Sequence, residues 1–199
     1  MPVRIGCIVE GHGECESVPV LIRRIALQLD PALAVEILHP VRATRSKLLR
    51  PGELEKAIEA VARKVEGNGG ILVILDADDD CPAELAPKLL ARAQSARGDL
   101  PSAVVLASKE FECWFLAAAQ SLRGRRGLPE DLESPNQPEE IRGAKEWLSK
   151  RARTGYSPTV DQASLAGVFD FGLARRAPSF DKCYREVMRL LQTLRAREQ

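Results

Sequence analysis

Carboxylates gather at three points where apolar runs end: Glu10 in IVEGHGE, Asp76 and Asp78 in ILVILDADDD, and Glu110 and Glu112 in AVVLASKEFECW. A carboxylate leaving a buried strand loses solvation, and several that converge repel one another unless protons or a cation lie between them. Hard divalent cations with oxygen ligands suit such a set. Mg²⁺, or Mn²⁺ in its place, keeps several waters and takes one or two carboxylates plus phosphate oxygens. One or two such ions could polarise a phosphodiester and activate a water for in-line attack. On this reading Glu10, Asp76 and Asp78 hold the metal, with Asp76 and Asp78, two apart on extended chain, pointing the same way. Lys109 could stabilise charge developing on the phosphate, and Glu112 could ligate the ion or orient a metal-bound water. Glu10, Lys109 and Glu112 are thus the candidate catalytic residues.

Gly11, His12, Glu14, Asp80 and Glu110 would surround that site. Gly11 and Gly13 let the chain turn sharply beside it. His12 could contact phosphate or donate a proton, although a loop histidine is more often simply solvated. Acidic residues also favour helix N-termini; Asp79 and Asp80 before a helix at Ala83, and Glu14 and Glu16 before Ser17, fit that role. Arg123, Arg125 and Arg126 follow the helix that carries Glu112 and could line an approach for a phosphate backbone. Aromatic residues suited to stacking on bases are few and Trp114 reads as core, so base-specific recognition is not supported.

Other chemistries fit less well. GHGECES lacks the GK[ST] ending of a nucleotide phosphate loop. Cys7, Cys15, Cys81, Cys113 and Cys183 include no CxxC pair, match no paired zinc spacing, and read as small buried hydrophobes. His12 and His39 are the only histidines, which leaves a Cys-His nucleophile or a Ser-His-Asp triad without support.

The elements that must position these residues follow from periodicity. Val3 to Val9 reads as a strand ending in the Glu10 loop, with a helix starting at Ser17 and Pro19 and stopped by Asp30-Pro31. Ala34 to Leu38 is a second strand. Leu54, Ala57, Ile58, Val61, Ala62 and Val65 form one stripe of a helix from Glu53 to Glu66, closed by Gly67-Asn68-Gly69-Gly70. Ile71 to Leu75 has the uninterrupted apolar pattern of a central strand. A helix over Ala83 to Arg97, a strand over Ser102 to Ala107 and a helix within Lys109 to Ser121 complete an alternating α/β pattern, predicting a mostly parallel sheet flanked by helices. The stretch RGRRGLPEDLESPNQPEE is rich in Gly, Pro and charge and reads as a mobile loop or lid. Helices follow over Ala144 to Arg153, about Val160 to Gly167, and Ser179 to Leu194. This gives an α/β core over 1–122, a loop over 123–143 and a helical C-terminal part over 144–199 that packs on the core as one compact unit.

With 199 residues, 45% apolar and 29% charged, the chain is long enough to bury a core without disulfides or metal. A net charge of +1 neither supports nor excludes a polyanionic partner. The odd cysteine count fits the reduced cytoplasm, MPVRIGCIVE lacks a signal-peptide pattern, and no apolar run approaches a membrane span. The oligomeric state is left open, a homodimer included.

These residues resemble the Toprim superfamily, whose hallmarks are an acidic residue after the first strand and Asp-x-Asp after a later one, here Glu10 in VEGHGE and Asp76 and Asp78 in LDAD. More narrowly, VEGHGE, LDADDD, SKEFECWFLAA, GAKEWL and PSF resemble a standalone bacterial Toprim-like family of unknown function (domain of unknown function 4276) over nearly the whole chain. The resemblance implies a parallel sheet with magnesium held by Glu10, Asp76 and Asp78, completed by Glu112 or Glu110 and by Lys109. It further implies a nuclease acting on DNA or RNA, with a separate ABC-type ATPase as partner in phage defence. A Toprim-like scaffold that binds metal, phosphate or a partner without cleaving anything is the alternative. Tyr156 and Tyr184, the only tyrosines, stand in no context for strand passage.

Overall fold

The computed structural model describes residues 2–65 and 69–197. β1 (Val3–Val9) leads into α1 (His12–Leu29), then β2 (Val35–Ile37) and β3 (Val41–Arg42). α2 (Arg45–Leu48), α3 (Glu53–Val65), β4 (Gly69–Asp76), α4 (Pro82–Ala96) and β5 (Ser102–Ala107) follow. The sheet has the order β2-β1-β4-β5, with β3 also pairing β1, and every pair is parallel. The predicted mostly parallel sheet flanked by helices is therefore present, with β4 central and buried on both faces as its unbroken apolar run requires.

Alternation along β1 and β4 divides the core. Val9, Leu72 and Ile74 face α1 and the C-terminal helices, while Ile8, Val73 and Leu75 face α3 and α4. The chain leaves β1 for β2 on one side and returns to β4 on the other. The gap between the carboxyl ends of β1 and β4 is therefore the topological switch point, where open α/β sheets bind ligands.

The C-terminal part comprises α5 (Cys113–Ala117), α6 (Ala144–Arg151), a π-helical turn (Pro158–Gln162), α7 (Ala163–Ala166), α8 (Phe171–Ala174) and α9 (Pro178–Ala196). It shares one core with the sheet. Phe111 and Phe115 stack with Trp114 and Phe169, whose ring contacts run on to Phe180 at centroid separations of 4.5–5.6 Å. Each such pair adds about 0.5–1.5 kcal/mol beyond its buried area. Trp114 is fully buried, and its Nε1–H donates to Ser179 Oγ at 2.8 Å, tying the start of α9 to the segment that carries Glu112.

Several boundaries differ from expectation. α1 starts at His12 and takes Pro19 into its interior, because the Glu14 carboxylate accepts the Glu10 and Gly11 N–H groups and caps the chain before Ser17. β3, α2 and α8 are too short to show a periodicity. The helix after β5 is brief and continues as a 3₁₀ turn at Ala119–Leu122. The 123–143 stretch, expected as a mobile loop, buries Leu128 and Leu132 in the core. At the expected helix end Glu66, Gly67 and Asn68 lie outside the described residues, while Gly69 and Gly70, expected to close the helix, already belong to β4. Cys7, Cys113 and Cys183 are buried as expected, but Cys15 is half-buried and Cys81 exposed. Among the described residues no helix is long and apolar enough to cross a membrane.

Candidate active site at the switch point

The acidic residues at the carboxyl edge form two clusters, each with its own cation. The first lies on the α1 face. Asp76 ends β4; its Oδ1 accepts the Phe111 N–H at 2.8 Å, which fixes the turn after β5 against β4. Its Oδ2 is 3.6 Å from Lys145 Nζ, and the same ammonium lies 3.4 Å from Glu110 Oε2 and 3.2 Å from Glu112 Oε2. Lys145 enters from the start of α6. Gly143, its N-cap, adopts φ 72° in the left-handed region that glycine tolerates best. The Lys145 N–H donates to Glu110 Oε2 at 3.2 Å, so backbone and side chain hold the same carboxylate.

Glu112 is completely buried. Its Oε1 accepts Tyr156 O–H at 2.9 Å and Gln162 Nε2–H at 3.2 Å. Its Oε2 is close enough to Lys145 for an ion pair but has no well-aligned hydrogen bond among the described residues. Gln162 reaches Glu112 because the π-helical turn packs directly on α1 at Gly13, where a Cβ would collide with Gln162 Oε1 and Pro158 O. Gly13 thus serves close approach of two backbones, and Gly11, with φ −95°, needs no glycine-only conformation.

Burial dominates the electrostatics of this cluster. It raises the pKa of Glu14, which Glu112 raises further and Lys145 and two backbone donors oppose. It raises Asp76 well above the ordinary carboxylate range, with Lys145 opposing and Glu14 and Glu112 adding. Glu112 is raised by burial too, against Lys145 and Tyr156. For Lys145 burial disfavours the charged form, yet Glu112, Asp76 and Glu110 outweigh it and hold the ammonium protonated well past neutral pH. Burial pushes the Cys7 and Cys113 thiols up to about 12, so neither is a thiolate at neutral pH.

The second cluster lies on the α3 face. Glu10 Oε1 accepts the Arg45 N–H at 3.1 Å, while Oε2 is buried without a hydrogen-bond partner among the described residues. The Arg45 guanidinium lies 3.5 Å from Asp78 Oδ2 and pairs closely with Asp80. Asp76 and Asp78 therefore do not point the same way, which corrects the extended-chain expectation. Asp78 has φ 50°, so the chain turns after Ala77 and sends the two carboxylates to different cations. Among the described residues no three His, Cys, Asp or Glu side chains come together in a geometry that would hold a metal ion. Glu10 Oε2 nevertheless fits a cation, being a buried acceptor with no donor.

Lys109 stands beside both clusters. Its Nζ is 3.3 Å from Asp79 Oδ1, and Arg142 holds the same carboxylate at 2.5 Å and 3.2 Å. These residues, with Asp78, Glu110 and Gly143, line a polar cleft of about 290 Å³. Lys109 has φ 62°, and the Asp78 N–H donates to its carbonyl at 3.2 Å, so two non-glycine residues in left-handed backbone face each other at the cleft. Such strain persists only where surrounding structure imposes it, and it concentrates at functional sites. Asp79 and Asp80 precede α4, which begins at Pro82 with Cys81 as N-cap, and both carboxylates are engaged in ion pairs.

His12 opens α1 and is exposed. Arg123, Arg125 and Arg126 are exposed, but Arg123 is taken up by Glu133 and the Leu132 carbonyl, and Arg126 by the buried Asp161. Carboxylates thus occupy two of the three arginines proposed for phosphate. Lys145, Tyr156, Gln162 and Arg45 escape a reading of the sequence. GAKEWL marks the place of Lys145, but nothing in its spacing separates that lysine from solvated ones.

A model for a domain of unknown function, DUF4276, matches residues 9–187. The chain belongs to the DUF4276 family. The match begins just before Glu10 and ends within α9, so both clusters of this DUF4276 chain fall inside it. No curated protein and no solved structure matches the chain.

Proposed function

We propose that this DUF4276 chain is a Toprim-type phosphodiester hydrolase acting on DNA or RNA with Mg²⁺ or Mn²⁺. The observation that supports it is a charge imbalance at the switch point: Glu14, Asp76, Glu110 and Glu112 share a single ammonium, that of Lys145. A buried cluster with that excess takes up protons or a cation, and a phosphodiester is repelled from it until a cation is present.

The ligand set that the Toprim resemblance implies, Glu10, Asp76 and Asp78, would hold one ion only after Asp78 leaves Arg45 and turns toward Asp76; Glu10 Oε2 already stands as a buried acceptor lacking a donor. Once bound, such an ion supplies Lewis acidity toward a phosphoryl oxygen and makes its water more acidic. The protein's own residues then have separate tasks. Tyr156 and Gln162 fix Glu112 through Oε1, leaving Oε2 to accept a proton from an attacking water. Lys145 opposes the burial that raises Asp76 and Glu112 and holds both carboxylates in place. Lys109 and Arg142 flank Asp79 in the cleft, where a phosphate oxygen would exchange for the Asp79 carboxylate. On this reading any ATP-driven step belongs to a separate ABC-type ATPase.

Plasmid, linear DNA and tRNA incubated with Mg²⁺ or Mn²⁺ test the reading. Cleavage should require the metal and fall about 10²-fold or more in Glu10→Gln, Asp76→Asn and Glu112→Gln. Metal-dependent cleavage that survives all three substitutions sinks the site. One observation favours a second reading, a non-catalytic scaffold: Lys145 and Arg45 already act as internal cations. Calorimetric metal binding without cleavage of any substrate would support it.

A further inference from the structure

Tyr156 and Gln162, the two donors to Glu112 Oε1, flank a single turn of chain, residues 157–161. Whatever sets the span of that turn sets the distance between the two donors. Gln162 is fixed at both ends of its amide: Nε2–H donates to Glu112 Oε1, and Oε1 accepts the Ser17 O–H at 3.2 Å. A rotation of the turn therefore breaks one bond or the other. The turn is π-helical, a rare conformation found frequently at functional sites.

Asp161 closes this turn, and its two oxygens have separate partners. Oδ2 accepts the Ser157 N–H at 2.9 Å, while the Asp161 N–H donates to the Ser157 carbonyl at 2.8 Å, so the two residues clasp each other through side chain and backbone. Oδ1 takes the Arg126 guanidinium, with Nε and Nη2 both at 2.6 Å. The Asp161 side chain is 9% exposed, and a carboxylate at that depth depends on its cation. Arg126 is held in turn. With Asp78 and Lys109 it makes up the non-glycine residues in left-handed backbone among the described residues, and the other two line the acidic cleft. Such strain persists only where surrounding structure imposes it. Here the Gly127 carbonyl accepts the Arg153 N–H at 3.0 Å, which docks the 3₁₀ turn Arg125–Gly127 against the segment leading to Tyr156.

We infer that Arg126 and Asp161 are positioning residues for Glu112. The inference rests on the reading of Glu112 as proton acceptor in phosphodiester hydrolysis. The ion pair fixes the π-helical turn, the turn fixes Tyr156 and Gln162, and these two hold Glu112 Oε1 so that Oε2 is left for the attacking water. Orientation of a reacting group in this way supplies rate without any contact to substrate. Arg126, expected from the sequence to meet a phosphate backbone, thereby serves alignment of the site.

The test combines cleavage kinetics with NMR of the full chain. Arg126→Ala and Asp161→Asn should lower kcat by about 10- to 100-fold and leave KM within about twofold. Arg126→Lys, which restores a cation to Asp161, should recover most of the loss. In a Glu112→Gln background Arg126→Ala should add nothing further, because residues that act through one another are not additive. In Arg126→Ala the Gln162 side-chain amide signals should move toward those of a solvated glutamine, and in Arg126→Lys they should return. Equal loss of kcat from Arg126→Ala with and without Glu112→Gln overturns the inference. So does a raised KM at unchanged kcat, the mark of a phosphate contact. Where Asp161→Asn does not fold, the two Arg126 variants decide alone. A wild type that cleaves nothing removes the phosphodiesterase reading, and the NMR comparison then decides the positioning role: Gln162 signals unmoved by Arg126→Ala overturn it, and signals that move and are restored by lysine uphold it.

Discussion

Lys145 and Arg45 both neutralise carboxylates at the carboxyl ends of β1 and β4, but on opposite faces of the sheet. Around Lys145, Glu112 is fully buried and the Asp76 side chain is 14% exposed, and burial is the largest influence raising the pKa of Glu14, Asp76 and Glu112. Around Arg45 the partners Asp78 and Asp80 are more than half exposed and water screens them. The same residue types therefore do different work. The first cluster stores electrostatic free energy that a cation or proton can release, and the second mainly fixes the loops beside Glu10.

Substitutions can break this contrast, beginning with the largest effect. Lys145→Met leaves Glu112 and Asp76 buried without their cation. Urea unfolding at neutral pH should show a loss approaching the roughly 3–5 kcal/mol of a broken buried pair, reduced because Lys145 is partly solvated. An unchanged midpoint would mean that solvent already screens the cluster.

Next in size is the response to pH. Glu14, Asp76 and Glu112 have folded pKa values raised above an unfolded value of about 4. Between those limits the folded state binds more protons than the unfolded state, so this contribution to stability falls as pH rises and levels off beyond the raised values. Denaturation midpoints across that window should decline with pH, and millimolar Mg²⁺ should flatten the decline. A midpoint that instead rises steadily from pH 4 to neutrality would place the charge excess elsewhere.

Tyr156→Phe tests the support of Glu112 more gently. It deletes one donor to Oε1 while Gln162 remains, so stability should fall by about 1–2 kcal/mol and cleavage, where present, more than substrate affinity. The smallest effect belongs to Arg45→Ala. Its ion pairs to the exposed Asp78 and Asp80 carboxylates are worth about 0–1 kcal/mol, while loss of the guanidinium should tighten Mg²⁺ binding as measured by calorimetry. A large stability loss in this variant would erase the distinction between the two clusters.

Much of the scaffold was legible from local pattern. The apolar runs at Val3–Val9, Ile71–Leu75 and Ser102–Ala107 are strands because only a strand buried on both faces uses them, and the stripe from Leu54 to Val65 is a helix. The places where carboxylates leave those strands followed directly. Their groupings did not. Asp78 departs from Asp76 through a left-handed residue, and Lys109 turns to Asp79. Neither event leaves a trace in composition, because each depends on hydrogen bonds between the loops after β4 and β5.

By itself the sequence determined the α/β alternation and put acidic residues at the ends of β1, β4 and β5, since hydrophobic periodicity and strand exits are properties of neighbouring residues. Only the tertiary structure decided which cation meets which carboxylate. Lys145 lies far along the chain from Asp76 and reaches it because α6, the π-helical turn and α1 pack in one core around Glu112. Charge pairing inside a protein is set by that three-dimensional packing, in which burial multiplies the strength of each contact.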